Sequence, residues 1–123
     1  MNPSLRVKIE VLLENCEEPT AELYGKIVAS QDGSTPITLY NKSLAERLTV
    51  RKGQLIPLDQ SSFDASPSVP LTIKAQDPSP LRDYRHGSPG TIADGSVDFT
   101  VRVGTQKKKI TGQFGSVEVT ITC

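Results

Sequence analysis

Apolar and polar side chains alternate strictly in Val117-Glu118-Val119-Thr120-Ile121-Thr122-Cys123. The same period of two runs through Leu5-Arg6-Val7-Lys8-Ile9-Glu10-Val11 and through Val97-Asp98-Phe99-Thr100-Val101-Arg102-Val103. Successive side chains of a β-strand point to opposite faces, so this period is typical of strands that bury one face and expose the other. No apolar stripe with the period of a helix persists anywhere in the sequence. The pattern therefore predicts an all-β fold in which two sheets pack face to face.

Size and composition narrow the architecture. The chain has 123 residues, of which 36% are hydrophobic and 5% aromatic, and this suits one thin two-layer domain over residues 1–123. We predict an antiparallel β-sandwich of about eight strands with Greek-key-like connections. The inner faces are predicted from the apolar positions of the alternating stretches: Leu5, Val7, Ile9, Leu23, Ile27, Leu39, Leu71, Ile73, Phe99, Val101, Val117, Val119 and Ile121.

The balance of acidic and basic residues argues against partners that bind through a strong electrostatic field of the whole protein. Lys+Arg and Asp+Glu each number 14, so the formal net charge is zero and we expect no nucleic acid partner. No run approaches the roughly 20 apolar residues of a transmembrane helix, so we expect no stable membrane insertion. The N-terminal stretch has no basic region followed by an apolar run, so no signal peptide is predicted. The sequence does not indicate a cellular compartment.

Three local patterns leave the element type open. Residues 43–51 fit a helical turn, with Ser43 as N-cap and Glu46 completing a capping box, but the alternation of 47–51 leads us to favour strand, turn and strand. Gly25 lies within a predicted strand and indicates either a bulge or a close approach of another segment. Two stretches rich in Pro, Gly, Ser and Asp are predicted as loops, residues 59–68 and the longer 76–96.

The two cysteines, Cys16 and Cys123, allow two interpretations. A disulfide between them would close nearly the whole chain and add roughly 3–5 kcal/mol of stability, provided that the Cα atoms lie within about 7 Å. We favour the alternative, two thiols at separate places, one in a loop and one at a strand end. Because two cysteines cannot form a structural zinc site alone, we predict no metal site and no cofactor.

A family resemblance rests on several segments that follow one another along the chain. Tyr24-Gly25-Lys26-Ile27-Val28-Ala29 precedes Leu39-Tyr40-Asn41-Lys42-Ser43, and after Val50 to Leu58 comes Val69-Pro70-Leu71-Thr72-Ile73-Lys74-Ala75. This order resembles an uncharacterised β-sandwich family best known from grasses, where the domain occurs alone or attached to ribosome-inactivating proteins. The family tends to have Arg where this chain has Lys42. The resemblance covers residues 21–80 and implies the fold and a binding role, without any catalytic residue. The strand layout also looks like that of the calcium- and lipid-binding sandwiches of synaptotagmin type.

The predicted loop 76–96 carries the densest mixture of polar side chains in the sequence. Arg82 and Arg85 flank Tyr84, and His86 follows. Arg and Tyr are frequent anchors in binding sites, and long loops of sandwiches often contact ligands. We therefore predict Arg82, Tyr84, Arg85 and His86 as binding residues, although an exposed mobile loop with solvated charges is the commoner role for such a stretch.

Catalysis and calcium binding have weaker signals. His86 and Ser88 could act as base and nucleophile with Asp83 as orienting group, but no Gly-x-Ser-x-Gly elbow is present, and we predict no enzyme. Loop aspartates could supply calcium ligands, yet none is spaced as Asp-x-Asp. Those aspartates are Asp32, Asp77, Asp83 and Asp94.

A basic run, Lys107-Lys108-Lys109, lies at or near the predicted hairpin turn Thr105-Gln106-Lys107. It is typical of a solvated turn or of the charges that protect an edge strand from pairing. Glu14, Glu17 and Glu18 form an acidic counterpart, and if the two patches face opposite ways, copies of the chain could pair head to tail.

These observations favour a non-catalytic binding or assembly module that acts through loops or strand edges on a protein, glycan or membrane-surface partner. Two alternatives stay open, a calcium-dependent lipid-binding domain and a structural subunit that self-assembles as a homo-oligomer. A β-sandwich by itself does not distinguish among them.

Overall fold

The computed structural model describes residues 3–85 and 88–123, with the backbone alone at residues 85, 88 and 89. Strands dominate this part of the chain, together with one turn of 3₁₀ helix at Leu44–Glu46. The strands are β1 (Leu5–Asn15), β2 (Thr20–Ser30), β3 (Ile37–Lys42), β4 (Leu48–Arg51), β5 (Ser62–Ala65), β6 (Leu71–Ala75), β7 (Leu81–Arg85), β8 (Ser88–Ala93), β9 (Gly95–Phe99), β10 (Thr105–Gly112) and β11 (Gly115–Thr122).

These strands form two sheets that pack together. One is four-stranded in the order β10-β11-β1-β5, and the other has the order β8-β7-β2-β6-β9, with β3 and β4 also paired to β2. Each ladder between these strands is antiparallel. The chain crosses from one sheet to the other after β1, β4, β5 and β9. The prediction of an all-β antiparallel sandwich is confirmed.

The described residues contain eleven strands where the sequence predicted about eight. Part of the difference is β5, which lies inside the predicted loop 59–68. Its four residues are too few to show a period, and it forms because Leu5 to Lys8 of β1 pair with it along its whole length. The other part lies within 76–96, where β7, β8 and the start of β9 replace most of the predicted loop.

The core consists of the inner faces of the two sheets. Phe99 and Val119, at the centres of their alternating stretches, are 1% and 0% exposed. Every other residue of the predicted inner face is also buried, except Leu5, which is half-buried against the same cluster. Burial of this apolar surface is the main term that favours folding. The period of two therefore predicted the inward side of the strands correctly, but the stretch 97–103 is strand only up to Phe99, and Val103 at its end is 80% exposed.

Strand β2 changes its hydrogen-bonding partners at Gly25. Its first half pairs with β4 and β7, and its second half pairs with β3 and β6. The segment that joins β6 to β7 lies against β2 at this change of partners, where the Lys26 amide donates a hydrogen bond to the Ser79 carbonyl oxygen at 3.1 Å. Gly25 has φ +117°, and a Cβ there would collide with the carbonyl of Pro80. Of the two alternatives for Gly25, close approach is the one observed, and the bulge lies further on, between Ile27 and Val28.

That bulge buries two consecutive residues of β3, Leu39 and Tyr40. The hydroxyl of Tyr40 donates a hydrogen bond to the carbonyl oxygen of Leu23 at 2.8 Å. Burial raises the pKa of Tyr40 to about 12, with a smaller contribution from the charge of Asp59. This polar group therefore joins β3 to β2 inside the core and stays protonated at neutral pH.

Residues 43–51 contain both a helical turn and a strand, the two alternatives considered for them. The Glu46 carboxylate accepts hydrogen bonds from the Ser43 amide at 3.2 Å and from its hydroxyl at 2.9 Å, as the capping-box pattern predicted. These bonds lower the pKa of Glu46. Strand β4 follows directly, so the favoured strand is correct for Leu48–Arg51 and wrong for the residues before it.

Lys107, Lys108 and Lys109 lie inside β10 and not at a turn, which is a correction. The chain turns instead over residues 100–104, where Gly104 has φ +120°. Lys108 pairs with Val119 and so faces inward at the rim of the sandwich. Its ammonium group donates a hydrogen bond to the carbonyl of Asp98 in β9 and lies 5.4 Å from the centre of the Phe99 ring. An inward-pointing lysine on an edge strand hinders pairing with another chain, so the protective role is the one supported.

Head-to-tail pairing of copies of the chain required the basic and the acidic patch to face opposite ways, and this condition is not met. The Lys109 ammonium lies 3.0 Å from the Glu14 carboxylate, and the Ser116 hydroxyl donates to that carboxylate at 2.9 Å. These two contacts, the hydrogen bond with Lys109 first, lower the pKa of Glu14. The patches are therefore neighbours on one molecule and do not face opposite ways.

Neither cysteine forms a disulfide. In the antiparallel ladder of β1 with β11, Asn15 pairs with Ser116 and Lys8 pairs with Thr122. Cys16 and Cys123 thus follow opposite ends of the ladder, several residues apart at about 3.3 Å per residue. The bridge is excluded by distance, and the two separate thiols that we favoured are the arrangement observed.

Candidate functional site

The residues predicted to bind a partner lie on a β-hairpin and not in a loop. Arg82 pairs with Thr91, and Tyr84 pairs with Pro89, across the antiparallel β7–β8 ladder. The many Pro and Gly residues favoured a loop, but β8 is the last strand of its sheet, and an edge strand tolerates Pro because one side needs no hydrogen bonds. Gly90 has a separate role, since the Phe114 ring packs within 3.3 Å of the position that a Cβ would occupy there.

The alternation along β7 separates the predicted residues into two sets. Arg82 and Tyr84 are half-buried on the outer face of the seven-stranded sheet, and Asp83 is buried on the inner face. His86 lies outside the described residues, and the side chain of Arg85 is likewise not described. The structure therefore places two of the four predicted binding residues, both on the outer face.

The contacts of Asp83 are those of a residue that stabilises the fold. Its carboxylate accepts a hydrogen bond from the backbone N–H of Glu22 at 2.8 Å, which ties β7 to β2. Burial raises the pKa of Asp83, and the nearby charges of Glu22 and Glu17 raise it further, against the lowering effect of that hydrogen bond. An orienting role of Asp83 toward His86, which the sequence pattern did not favour, is not tested by the structure, because His86 lies outside the described residues.

Tyr84 is held on the outer face by a residue that the sequence did not indicate. The guanidinium of Arg47 lies 4.7 Å from the centre of the Tyr84 ring, in the range of a cation–π contact. The same guanidinium pairs with Glu22 at 3.2 Å and donates to the carbonyl of Leu44 at 3.0 Å. These contacts join the residue before β4 to the 3₁₀ turn, β2 and β7, and they hold the Tyr84 side chain in place.

Arg82 lies beside Tyr24, its direct cross-strand neighbour on β2. The two residues line a cleft of about 430 Å³ beside Gly25. Its walls come from the end of β3, the 3₁₀ turn, the β6–β7 connection and β7. The lining residues are Tyr24, Gly25, Asn41, Lys42, Ser43, Glu46, Ser79 and Arg82.

Some of the charged side chains that line this cleft have ion-pair or hydrogen-bond partners, and one has none among the described residues. The Lys42 ammonium pairs with Asp59 at 3.3 Å, and Glu46 is held by Ser43. Within residues 3–85 and 88–123, we find no ion pair or hydrogen bond for the Arg82 guanidinium. Arg82 is thus a half-buried cation that lines a concave, polar space and whose guanidinium carries five hydrogen-bond donors.

Sequence reasoning missed Glu22, Tyr24, Lys42 and Arg47 as site residues. The alternation of β2 could have placed Glu22 and Tyr24 on one outer face. No local signal relates Arg47 to Tyr84, because their contact depends on how β4 and β7 flank β2.

A second depression of about 640 Å³ lies at the tip of the β10–β11 hairpin, between Glu14, Cys16 and Phe114. Its charged groups are the already paired Glu14 and Lys109, together with Glu17. Among the described residues, no three His, Cys, Asp or Glu side chains come together in a way that could hold a metal ion. No helix in the described part of the chain is long and apolar enough to cross a membrane.

Comparison with models of known protein families finds no match to this chain. Comparison with curated protein sequences finds no match either. The resemblance to the β-sandwich family of grasses therefore stays a prediction.

Proposed function

We propose that this chain is a non-catalytic binding module that holds a glycan on the outer face of its seven-stranded sheet. The observation that carries the proposal is the cleft beside Tyr24 and Arg82, where a tyrosine ring and a half-buried arginine without an ion-pair partner among the described residues line the same concave space. Small-molecule sites are typically clefts of about 300–1,000 Å³.

A glycan suits the face better than a large protein partner does. A stable protein interface buries about 800 Å² per partner around an apolar centre. The outer face around the cleft is instead polar and charged, with Lys42, Glu46 and Arg82 on its walls. Such groups suit the hydroxyls of a sugar, and the amphipathic Tyr24 ring offers a surface for the sugar ring.

The face is also held in shape before any ligand arrives. Arg47 is fixed by Glu22 and Leu44 while it stacks on Tyr84, and Glu46 caps the turn that forms one wall of the cleft. Preorganisation lowers the conformational cost of binding. The two described groups with a raised pKa from burial, Tyr40 and Asp83, are both hydrogen-bonded to the backbone of β2, which supports structural roles for them.

A glycan array tests this proposal with three proteins. The parent should bind a discrete set of glycans, the variant Tyr24→Ala/Arg82→Ala should lose that set, and Arg102→Ala should keep it. Arg102 is an exposed arginine outside the cleft and serves as the matched control. The melting temperatures of the three proteins should agree within a few degrees, because the replaced side chains lie outside the core.

Two further measurements test the two alternative functions, calcium-dependent lipid binding and self-assembly. Calcium-dependent sedimentation with phosphatidylserine vesicles, combined with no glycan binding, would contradict the proposal in favour of a lipid-binding domain. A solution mass that rises with protein concentration, again without glycan binding, would contradict it in favour of a self-assembling subunit.

A further inference from the structure

We infer that the cleft beside Tyr24 and Arg82 takes a saccharide that carries a single carboxylate, such as a terminal uronic acid. This inference rests on the proposed glycan-binding function and specifies the chemical class of its ligand. It follows from three properties of the cleft: an arginine without an ion-pair partner among the described residues, acidic groups that disfavour more than one negative charge on the ligand, and neutral polar groups around the cation.

The arginine supplies the carboxylate site. The planar guanidinium matches a carboxylate in a two-bond arrangement and keeps its charge at any physiological pH. Arg82 is anchored on β7, whose backbone is paired on one side with β2 and on the other with β8. Because Tyr24 is the cross-strand neighbour of Arg82 and lines the same cleft, a ligand held by its carboxylate can also contact the tyrosine.

The charges around the cleft sum to zero, so a ligand with more than one negative charge is disfavoured. Lys42 and Arg82 are the cations of the lining and Glu46 is its acid, and Asp59 offsets the charge of Lys42 at 3.3 Å. A phosphate dianion or a polysulfated chain would meet the repulsion of Glu46 and Asp59. The balanced net charge of the whole chain offers no long-range attraction that could overcome this repulsion.

The uncharged groups suit sugar hydroxyls. Asn41, Ser43 and Ser79 line the cleft on the walls around Arg82. Amide and hydroxyl groups can each donate and accept, as sugar hydroxyls do. A simple carboxylic acid would use Arg82 alone, whereas an acidic sugar would use the cation, the ring and these groups together.

The test is a set of NMR titrations of the ¹⁵N-labelled protein with glucuronic acid, glucuronamide, glucose, acetate and inorganic phosphate. Glucuronic acid should shift the backbone amides of Tyr24, Ser79 and Arg82. It should bind about tenfold or more tightly than glucuronamide, because the amide loses a charge-assisted pair. Arg82→Gln should abolish that preference, and the matched control Arg102→Gln should retain it.

The other outcomes overturn the inference in distinguishable ways. Equal affinity for glucose and glucuronic acid would contradict the carboxylate and leave the glycan-binding function standing. Acetate or phosphate binding as tightly as glucuronic acid would show an anion site without sugar recognition. Absence of shifts with every probe would contradict the inference, and the glycan array then decides separately whether the proposed function also fails.

Discussion

Replacing Phe99 with Ala tests how the core of the sandwich is built. Phe99 ends β9, is 1% exposed and pairs with Leu71 of β6. A buried aromatic side chain removes about 150–250 Å² from water, which at about 25 cal/mol per Å² corresponds to about 4–6 kcal/mol as an upper estimate. Measured Phe→Ala substitutions in cores cost about 3–5 kcal/mol. We expect Phe99→Ala to lower the free energy of unfolding by about 3–5 kcal/mol.

Urea titration followed by circular dichroism measures this loss, with the slope of the transition checked for a change in unfolding mechanism. The matched control is Phe114→Ala, which removes the same side chain from a position that is 41% exposed. Its cost should be clearly smaller, since much of the ring already contacts water. A loss below about 1 kcal/mol for Phe99→Ala, or equal losses for the two variants, would refute the assignment of Phe99 to the core.

Three further predictions concern the rim and the outer faces. Lys108→Ile should increase light scattering on incubation while Lys107→Ile increases it less, because Lys108 alone of the two points inward at the β9–β10 rim; equal scattering from both variants would contradict this. Glu14→Gln should destabilise the protein at pH 7, and the difference from the parent should vanish in urea titrations as the pH falls through the Glu14 pKa, which lies below its ordinary value of 4.5. The sign follows because a carboxylate with a lowered folded-state pKa contributes stability above its unfolded pKa; a difference that persists at the acid end would contradict the ion pair. A double-mutant cycle of Arg47→Ala and Tyr84→Ala should give a coupling energy of about 0.5–1 kcal/mol. If the losses of stability from the two substitutions simply add, the contact between the two side chains contributes no stability.

The period of two predicted the layered fold and its inward faces because it reports burial directly. Val119 and Phe99 are buried as that pattern requires. The pattern failed at the rim, where Lys108 occupies an inward position and its ammonium group lies 5.4 Å from the centre of the Phe99 ring.

The candidate site was only partly predictable. Arg82 and Tyr84 stood out by residue type, but Pro and Gly around them indicated a loop, and only the place of β8 at the sheet edge explains why a strand forms there. Their partners Tyr24 and Arg47 come from distant parts of the chain and meet them through β2. A single sequence shows no local sign of such contacts between distant residues.

The most direct test of the binding face is an NMR titration of the parent protein with the glycan that binds most tightly on the array. We predict backbone shifts confined to β2 near Tyr24, to the end of β3 and to β7 near Arg82, with loss of the shifts in Tyr24→Ala/Arg82→Ala. Shifts centred on Glu14 and Phe114, or the absence of any glycan that binds, would contradict the account.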